Sequence, residues 1–324
     1  MKIAALQMVS TPRVDDNLAA AAQLIGEAAG AGARVVVLPE YFCHMGHDDR
    51  DKLRIAEADG SGPIQHMLST AAQRHGVWLI GGTLPLRTDD PDRAYNACCA
   101  YAPDGSRAAR YDKMHLFCYD NGRERYDEAR VLRAGSLPVA FNAAVADHRE
   151  HRDSHGQHGQ HDPQEPQEPQ EPQAPQELQD RAAATATADP NAAAAAPATN
   201  ALRVGLSICY DLRFPELYRA LMAQALPCDL IAVPAAFTYT TGQAHWELLL
   251  RARAVENQCY VIAAAQGGRH ENGRSTWGHS MVVDPWGNVL AVLPEGAGVV
   301  LAELDLRRLA AVRLQLPALT HRRL

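Results

Sequence analysis

Four stretches of this chain are apolar without alternating: "RVVVLPE" (34–40), "LRVGLSIC" (202–209), "DLIAVPAAF" (229–237) and "YVIAAAQ" (260–266). A strand with one wet face alternates apolar and polar residues; a run that is apolar throughout must be covered on both faces. Helix-forming segments stand between these runs. "LAAAAQLIGEAAGAGA" follows Asp16 and Asn17 and ends at Gly30 and Gly32, and "PIQHMLSTAAQRHG" (63–76) has Pro63 in its first turn and Gly76 past its end. Further helices are expected over 215–225, 243–257 and "LRRLAAVRLQLP", and further strands over 2–9, "VWLIGGTLP" and "GVVLAELD". Two segments read as hairpins, "AYNACCAYAPDGSRAARYDKMH" turning at "PDG" and "GHSMVVDPWGNVLAVL" turning at "PWGN". Buried strands alternating with helices predict a layered α/β domain, with a mixed sheet or two sheets inside and helices outside.

Residues 142–201 belong to none of this. The stretch has no Phe, Trp or Tyr. It carries His148, His151, His155, His158 and His161, then a proline at every third position from Pro163 to Pro175, then an alanine-rich end. That composition favours extended, solvated chain and offers too little apolar surface to offset the entropy of ordering. It reads as a disordered insertion in a surface loop between two strands. The histidines lack preset geometry, so a solvated insertion is preferred to a metal site. What remains, 1–141 and 202–324, is the size of one large domain, interrupted rather than divided.

The formal net charge of −7 argues against nucleic acid or an anionic membrane as partner. No apolar run reaches the ~18–20 residues of a membrane span. "MKIAALQMVS" turns polar too soon for a signal peptide. Seven cysteines without a zinc-type pair fit a reducing cytoplasm.

Three reactive groups sit near the ends of buried runs. Glu40 closes "VVVLPE", Lys113 lies in "RYDKMH" and Cys209 closes "VGLSIC". Taken singly, Glu40 is a strand-end charge, Lys113 an exposed hairpin lysine and Cys209 a small core residue. Taken together they compose a reaction centre. A thiol nucleophile needs a proton acceptor and a positive field, and a developing oxyanion needs donors at ~3 Å. Glu40, Lys113 and the backbone N–H of Tyr210 supply these. A Cys–His pair is the competing arrangement; His115 and His245 are its best members, and both read better as pocket lining or structure.

"LPE" (38–40), "YDKMHLF" (111–117) and "GLSICYDLRFPEL" (205–217) occur in this order and resemble the three motifs of the carbon–nitrogen hydrolase (nitrilase) superfamily. The resemblance covers everything but the insertion. It implies one catalytic domain over 1–324 with the four-layer α-β-β-α sandwich. It also implies Glu40 as general base and acid, Lys113 as oxyanion stabiliser and Cys209 as nucleophile, with no metal or organic cofactor. "DEARVLRAG" (127–135) places Glu128 where the superfamily has a second glutamate, which orients Lys113 and substrate; Glu124 and Asp127 are its neighbouring carboxylates.

The implied reaction is hydrolysis of a small linear amide through a thioester. "QCYVIAAAQ" and "LQLPALTHRR" resemble the branch that cleaves deaminated glutathione, and the ω-amidase branch is nearly as similar. An N-carbamoyl amino acid is a further substrate to weigh. "CYDLRFPE" differs from the motif of true nitrilases. A substrate carboxylate needs a cation or hydroxyl, for which Arg213, Thr238, Tyr239 and Thr241 are candidates; the competing reading of Arg213 is a structural pair with Glu216 or Asp211. The resemblance also implies a homodimer. The reading of another class is a catalytically silent scaffold that binds partners through the histidine-rich arm.

Overall fold

The computed structural model describes residues 1–120, 122, 125–145 and 201–323. By its contacts the chain divides into one unit of Met1–Ala143 with Ala201–Leu324 and a second of Ala144–Asn200. Nearly all of the insertion, including its five histidines, lies outside the described residues.

In the first half β1 (Lys2–Gln7), α1 (Val14–Gly30), β2 (Ala33–Val37), α2 (Asp51–Arg54), α3 (Pro63–His75) and β3 (Trp78–Ile80) are followed by β4 (Leu84–Arg87), β5 (Ala94–Tyr101) and β6 (Arg107–Asp112). Short strands β7 (Cys118–Asp120), β8 (Arg125–Asp127) and β9 (Leu132–Arg133) come next, then β10 (Ala140–Ala144). The second half runs β11 (Ala201–Leu206), α4 (Pro215–Met222), β12 (Leu230–Ala235), α5 (Tyr239–Asn257), β13 (Tyr260–Ala265), β14 (Gly267–Arg269), β15 (Ser275–Trp277), β16 (Ser280–Val283), β17 (Val289–Leu293), β18 (Gly298–Glu303) and α6 (Leu306–Gln315).

Two large sheets result. One has the order β18-β1-β2-β3-β5-β4, with β6 and β9 also on β5; the other has the order β10-β11-β12-β13-β16-β17. The sheets meet face to face, β1 and β2 lying against β13. Helices α1 and α3 cover the outer face of the first sheet, and α5, with α4 against it, covers the second. This is the α-β-β-α sandwich, and it explains the non-alternating runs: Val35, Val36 and Val37 are fully buried because a helix layer lies on one side and a sheet on the other.

Several boundaries differ from the sequence reading. The insertion boundary at 142 falls inside β10, where Phe141 and Ala143 are buried and Asn142 is exposed, and Ala201 already belongs to β11. A strand next to low-complexity sequence lacks a compositional edge. "VWLIGGTLP" is two strands, β3 and β4. Gly82 between them has φ +56°, and a Cβ there would stand 2.2 Å from the Pro39 oxygen. Helix α1 starts at Val14, ahead of Asp16 and Asn17. Asn17 is buried inside it, and its amide binds the Thr11 and Cys43 oxygens. Helix α5 starts at Tyr239 because Thr238 caps it, accepting from the Thr241 N–H. Helix α2 and the hairpin β7–β8 carried no periodic signal.

Candidate active site

The loop after β2, the end of β6, the turn after β8 and the turn after β11 converge on one buried cluster. Lys113 is fully buried and Glu40 is 1% exposed, a costly placement for single charges and a tolerable one for paired charges. The Lys113 Nζ donates to Glu40 Oε1 at 2.8 Å and to Glu128 Oε1 and Oε2 at 3.0 and 2.8 Å. Asn96 Nδ2 donates to Glu40 Oε1 at 2.9 Å and the Ala236 N–H to Oε2 at 3.0 Å. Glu128 accepts from the Tyr41 hydroxyl at 2.6 Å and the Phe117 N–H at 2.7 Å. Each carboxylate oxygen therefore has a donor.

Cys209 follows strand β11 at the first position of a 3₁₀ turn, Cys209–Arg213, which leads into α4 at Pro215. Its φ is +48°, and that of Tyr41, next to Glu40, is +56°. Side chains with a Cβ enter this left-handed region at a cost of roughly 1–2 kcal/mol. Two such residues in one pocket need a surrounding framework, and Asp211 supplies it at the elbow. Fully buried, it accepts from the Tyr111 hydroxyl at 2.7 Å, the Ile208 N–H at 2.9 Å and the His115 N–H at 3.0 Å, and its Oδ1 lies 2.7 Å from His115 Nδ1. Gly135 braces the lysine: its N–H donates to the Lys113 oxygen at 2.9 Å, and a Cβ there would stand 2.2 Å from the Asp112 oxygen.

The charges act on one another. Burial raises the Glu40 carboxyl above its ordinary value; Lys113 opposes that rise and the Glu128 charge adds to it. Burial would raise Glu128 too, but Lys113 with the Phe117 and Tyr41 donors holds it below the usual range. Burial works against the Lys113 ammonium, yet Glu128 and Glu40 keep it firmly charged. The Cys209 thiol is pushed up by burial and then by Glu40, with Lys113 opposing. The resting state is a neutral thiol beside a carboxylate whose basicity is raised, which is the arrangement a proton transfer requires.

Glu40, Glu128, Cys209 and Thr238 line one pocket together with Tyr41, Lys52, Asp49 and Arg274. Lys113 is fully buried and reaches both Glu40 and Glu128 of that lining. Of the other residues singled out in the sequence, Tyr210 follows Cys209 in the turn, its ring packing edge-on against Phe117 and Phe214. Arg213 is not in the pocket lining. Its Nη1 lies 3.2 Å from His245 Nδ1 and its guanidinium stacks toward Tyr210 and Phe237, so its partner is neither Glu216 nor Asp211. His115 is held by Asp211 and stacked on Phe214 at 3.8 Å between ring centroids, a structural placement. Cys43 is buried with its thiol toward the Thr83 oxygen, and Cys118 is exposed on β7. Glu124 lies outside the described residues.

Tyr41, Asn96, Asp211, Lys52 and Arg274 also belong to the site, though apart from Asn96 their place in it does not stand out in the sequence. Asn96 was discoverable, being the one amide in the apolar run "AYNACCAY". Lys52 and Arg274 are brought together only by the tertiary fold. Among the described residues no helix is long and apolar enough to cross a membrane.

Known proteins share this architecture. The chain is 38% identical over 98% of its length to the deaminated glutathione amidase of Synechocystis sp., covering 97% of that protein. It is 32% identical over 99% of its length to omega-amidase NIT2-A of Xenopus laevis, covering 95% of it. The crystal structure of the C. elegans NitFhit protein superposes with a TM-score of 0.73 at 32% identity. That match spans 99% of this chain and 65% of the longer NitFhit chain. The sequence model of the carbon-nitrogen hydrolase family matches residues 2–314. The chain thus belongs to the carbon-nitrogen hydrolase family and is a hydrolase of amide carbon–nitrogen bonds.

Proposed function

We propose that this protein hydrolyses the amide of deaminated glutathione, releasing 2-oxoglutarate and Cys-Gly, with Cys209 as nucleophile. The observation that carries the reading is the buried Lys113 ammonium held between Glu40 and Glu128 beside Cys209. The similarity to a deaminated glutathione amidase supports the choice of substrate.

Cys209 gives its proton to Glu40 and the thiolate attacks the carbonyl carbon. The net charge of the cluster does not change in that transfer, so no charge has to be desolvated when the nucleophile forms. The oxyanion is received by Lys113 and by the Tyr210 N–H. In the resting enzyme all three Lys113 contacts go to carboxylate oxygens, so one must be exchanged. The 3.0 Å contact to Glu128 Oε1 is the one to give way, because the Tyr41 hydroxyl at 2.6 Å keeps that oxygen satisfied. Glu128 is thus a positioning residue for Lys113. Glu40 then protonates the leaving amine, and the thioester remains. Water, deprotonated by Glu40, attacks the thioester and frees the acid.

An ω-amidase acting on 2-oxoglutaramate is the second reading, favoured by the similarity to omega-amidase NIT2-A. Both substrates present the same 2-oxoglutaryl half and differ in the leaving amine. An enzyme-coupled assay of 2-oxoglutarate separates them: a kcat/KM at least ~10-fold higher on deaminated glutathione supports the first reading, and the reverse ratio the second. The silent-scaffold reading predicts no product from either.

The biological unit in this proposal is one catalytic domain interrupted by the insertion, working as a homodimer in the cytoplasm. Seven free cysteines fit a reducing compartment. The exposed Leu248, Val255, Trp286, Leu290 and Val292 give a pairing surface apolar material. Sedimentation equilibrium tests the dimer, and a monomer at micromolar concentration would remove it.

A further inference from the structure

The pocket has a second charged centre away from the thiol. Asp49 Oδ1 accepts from Arg274 Nη2 at 3.0 Å and from Lys52 Nζ at 3.4 Å. Among the described residues Asp49 is the only carboxylate either cation meets, so two positive charges share one negative. The Lys52 contact is long for a charge-assisted hydrogen bond, and Arg274 commits one edge of its fork. Both cations retain donors for a second anion.

The centre is built rather than casual. Arg274 sits at the tip of the β14–β15 hairpin, where the His270 N–H donates to the Arg274 oxygen at 2.9 Å. Asn272 Nδ2 ties that tip to the Gly46 oxygen at 2.7 Å, and Arg13 grips Glu271 through both Nη atoms. Lys52, whose side chain is 11% exposed, lies over the Tyr41 ring with Nζ 4.8 Å from its centroid. The Tyr41 hydroxyl reaches Glu128 and through it Lys113. One aromatic side chain therefore spaces the cation pair from the reacting centre. Arg274 stacks toward Tyr126, another lining residue.

We propose that Arg274 and Lys52 form the subsite for a carboxylate on the acyl half of the substrate, Asp49 bridging the two cations and offsetting part of their charge until that carboxylate arrives. This makes the enzyme selective for anionic amides. It rests on the reading of the chain as an amidase of 2-oxoglutaryl compounds and deepens it. The acyl half is common to deaminated glutathione and 2-oxoglutaramate, so a subsite serving both must face it. A neutral lining would leave the incoming carboxylate desolvated and unpaired, whereas the planar Arg274 fork receives it by two parallel bonds.

The test compares Arg274→Gln and Lys52→Gln with wild type on 2-oxoglutaramate and on pentanamide, a neutral amide of the same chain length. The subsite predicts that KM for 2-oxoglutaramate rises about 10–100-fold, the range for hydrogen bonds to a charged group, with kcat and the pentanamide KM little changed. Asp49→Asn, which removes the competing carboxylate, should lower KM for the anionic amide. Equal losses on both amides, or no loss on either, would overturn the subsite. Calorimetric binding of 2-oxoglutarate to Cys209→Ala protein gives a readout free of turnover. Adding Arg274→Gln should weaken that binding at least ~10-fold, and unchanged affinity overturns the proposal. If wild type hydrolyses neither amide, the reaction reading fails and the binding arm still decides the subsite.

Discussion

Replacing Lys113 by Met leaves a side chain of similar length and removes the charge on which the cluster depends. Three oxygen contacts of 2.8–3.0 Å end at its Nζ. At an effective dielectric of about 20, each carboxylate at that distance contributes roughly 6 kcal/mol of gross attraction. Most of that offsets the desolvation of three buried groups. Removing one partner of a buried pair typically costs about 3–5 kcal/mol, because it leaves the other charges uncompensated. At about 2–4 °C per kcal/mol for domains of roughly this size, Tm should fall by roughly 6–20 °C near pH 7.5, with the protein still folded at 25 °C. The loss should depend on pH in a definite direction. Without Lys113, burial and mutual repulsion raise the folded pKa values of Glu40 and Glu128 above their unfolded values. Their protonated forms then favour folding, a contribution present at low pH and lost as pH rises through the folded pKa values. The wild type has the opposite term from Glu128, whose depressed carboxyl loses stabilisation only as pH falls below the ordinary carboxylate range, so between pH 8 and pH 5.5 the change comes from the variant. The gap in Tm between the two proteins should therefore narrow from pH 8 to pH 5.5. Scanning calorimetry at both values measures it. A shift under ~2 °C at pH 7.5, or a gap that widens on acidification, would show that the Lys113 charge does not hold the two carboxylates together.

Gly82→Ala should destabilise by about 3 kcal/mol or more, since its Cβ meets backbone beside the Glu40 loop, and urea unfolding reads this directly. Gly135→Ala presses on the Asp112 backbone and should lower kcat along with Tm, as paired assays of rate and melting will show. Tyr41→Phe frees Glu128 Oε1 from its hydroxyl donor, so Lys113 is released less readily to the oxyanion. A fall in kcat of about 10-fold at constant KM is expected in steady-state kinetics. Asp211→Asn keeps the shape of the elbow support but loses its charge, and should cost about 2–3 kcal/mol in denaturant titration.

The sequence exposed what is local and hid what is not. Runs such as "RVVVLPE" and "YVIAAAQ" carry their double burial in composition, so the layered sandwich was legible from them. Glu40, Lys113 and Cys209 stood out because charge and thiol interrupt or end apolar segments, and the structure brings all three together with Glu128. The ends of elements were less legible. The break at Gly82 depends on contact with Pro39 oxygen, and the burial of Asn17 depends on Cys43 oxygen, 26 residues away. Arg213 was the natural cation for a substrate carboxylate by its nearness to Cys209, yet it lies against His245. The cations in the pocket are Lys52 and Arg274, from opposite halves of the chain. No pattern of spacing joins those two positions; the sandwich does.

The proposed mechanism passes through a covalent intermediate at Cys209. Rapid acid quenching during turnover of deaminated glutathione, followed by intact-protein and peptide mass spectrometry, tests it. A 2-oxoglutaryl adduct on the peptide containing Cys209, absent from Cys209→Ala together with all 2-oxoglutarate release, is the predicted result. Product formation by Cys209→Ala, or an adduct on another residue, would contradict it.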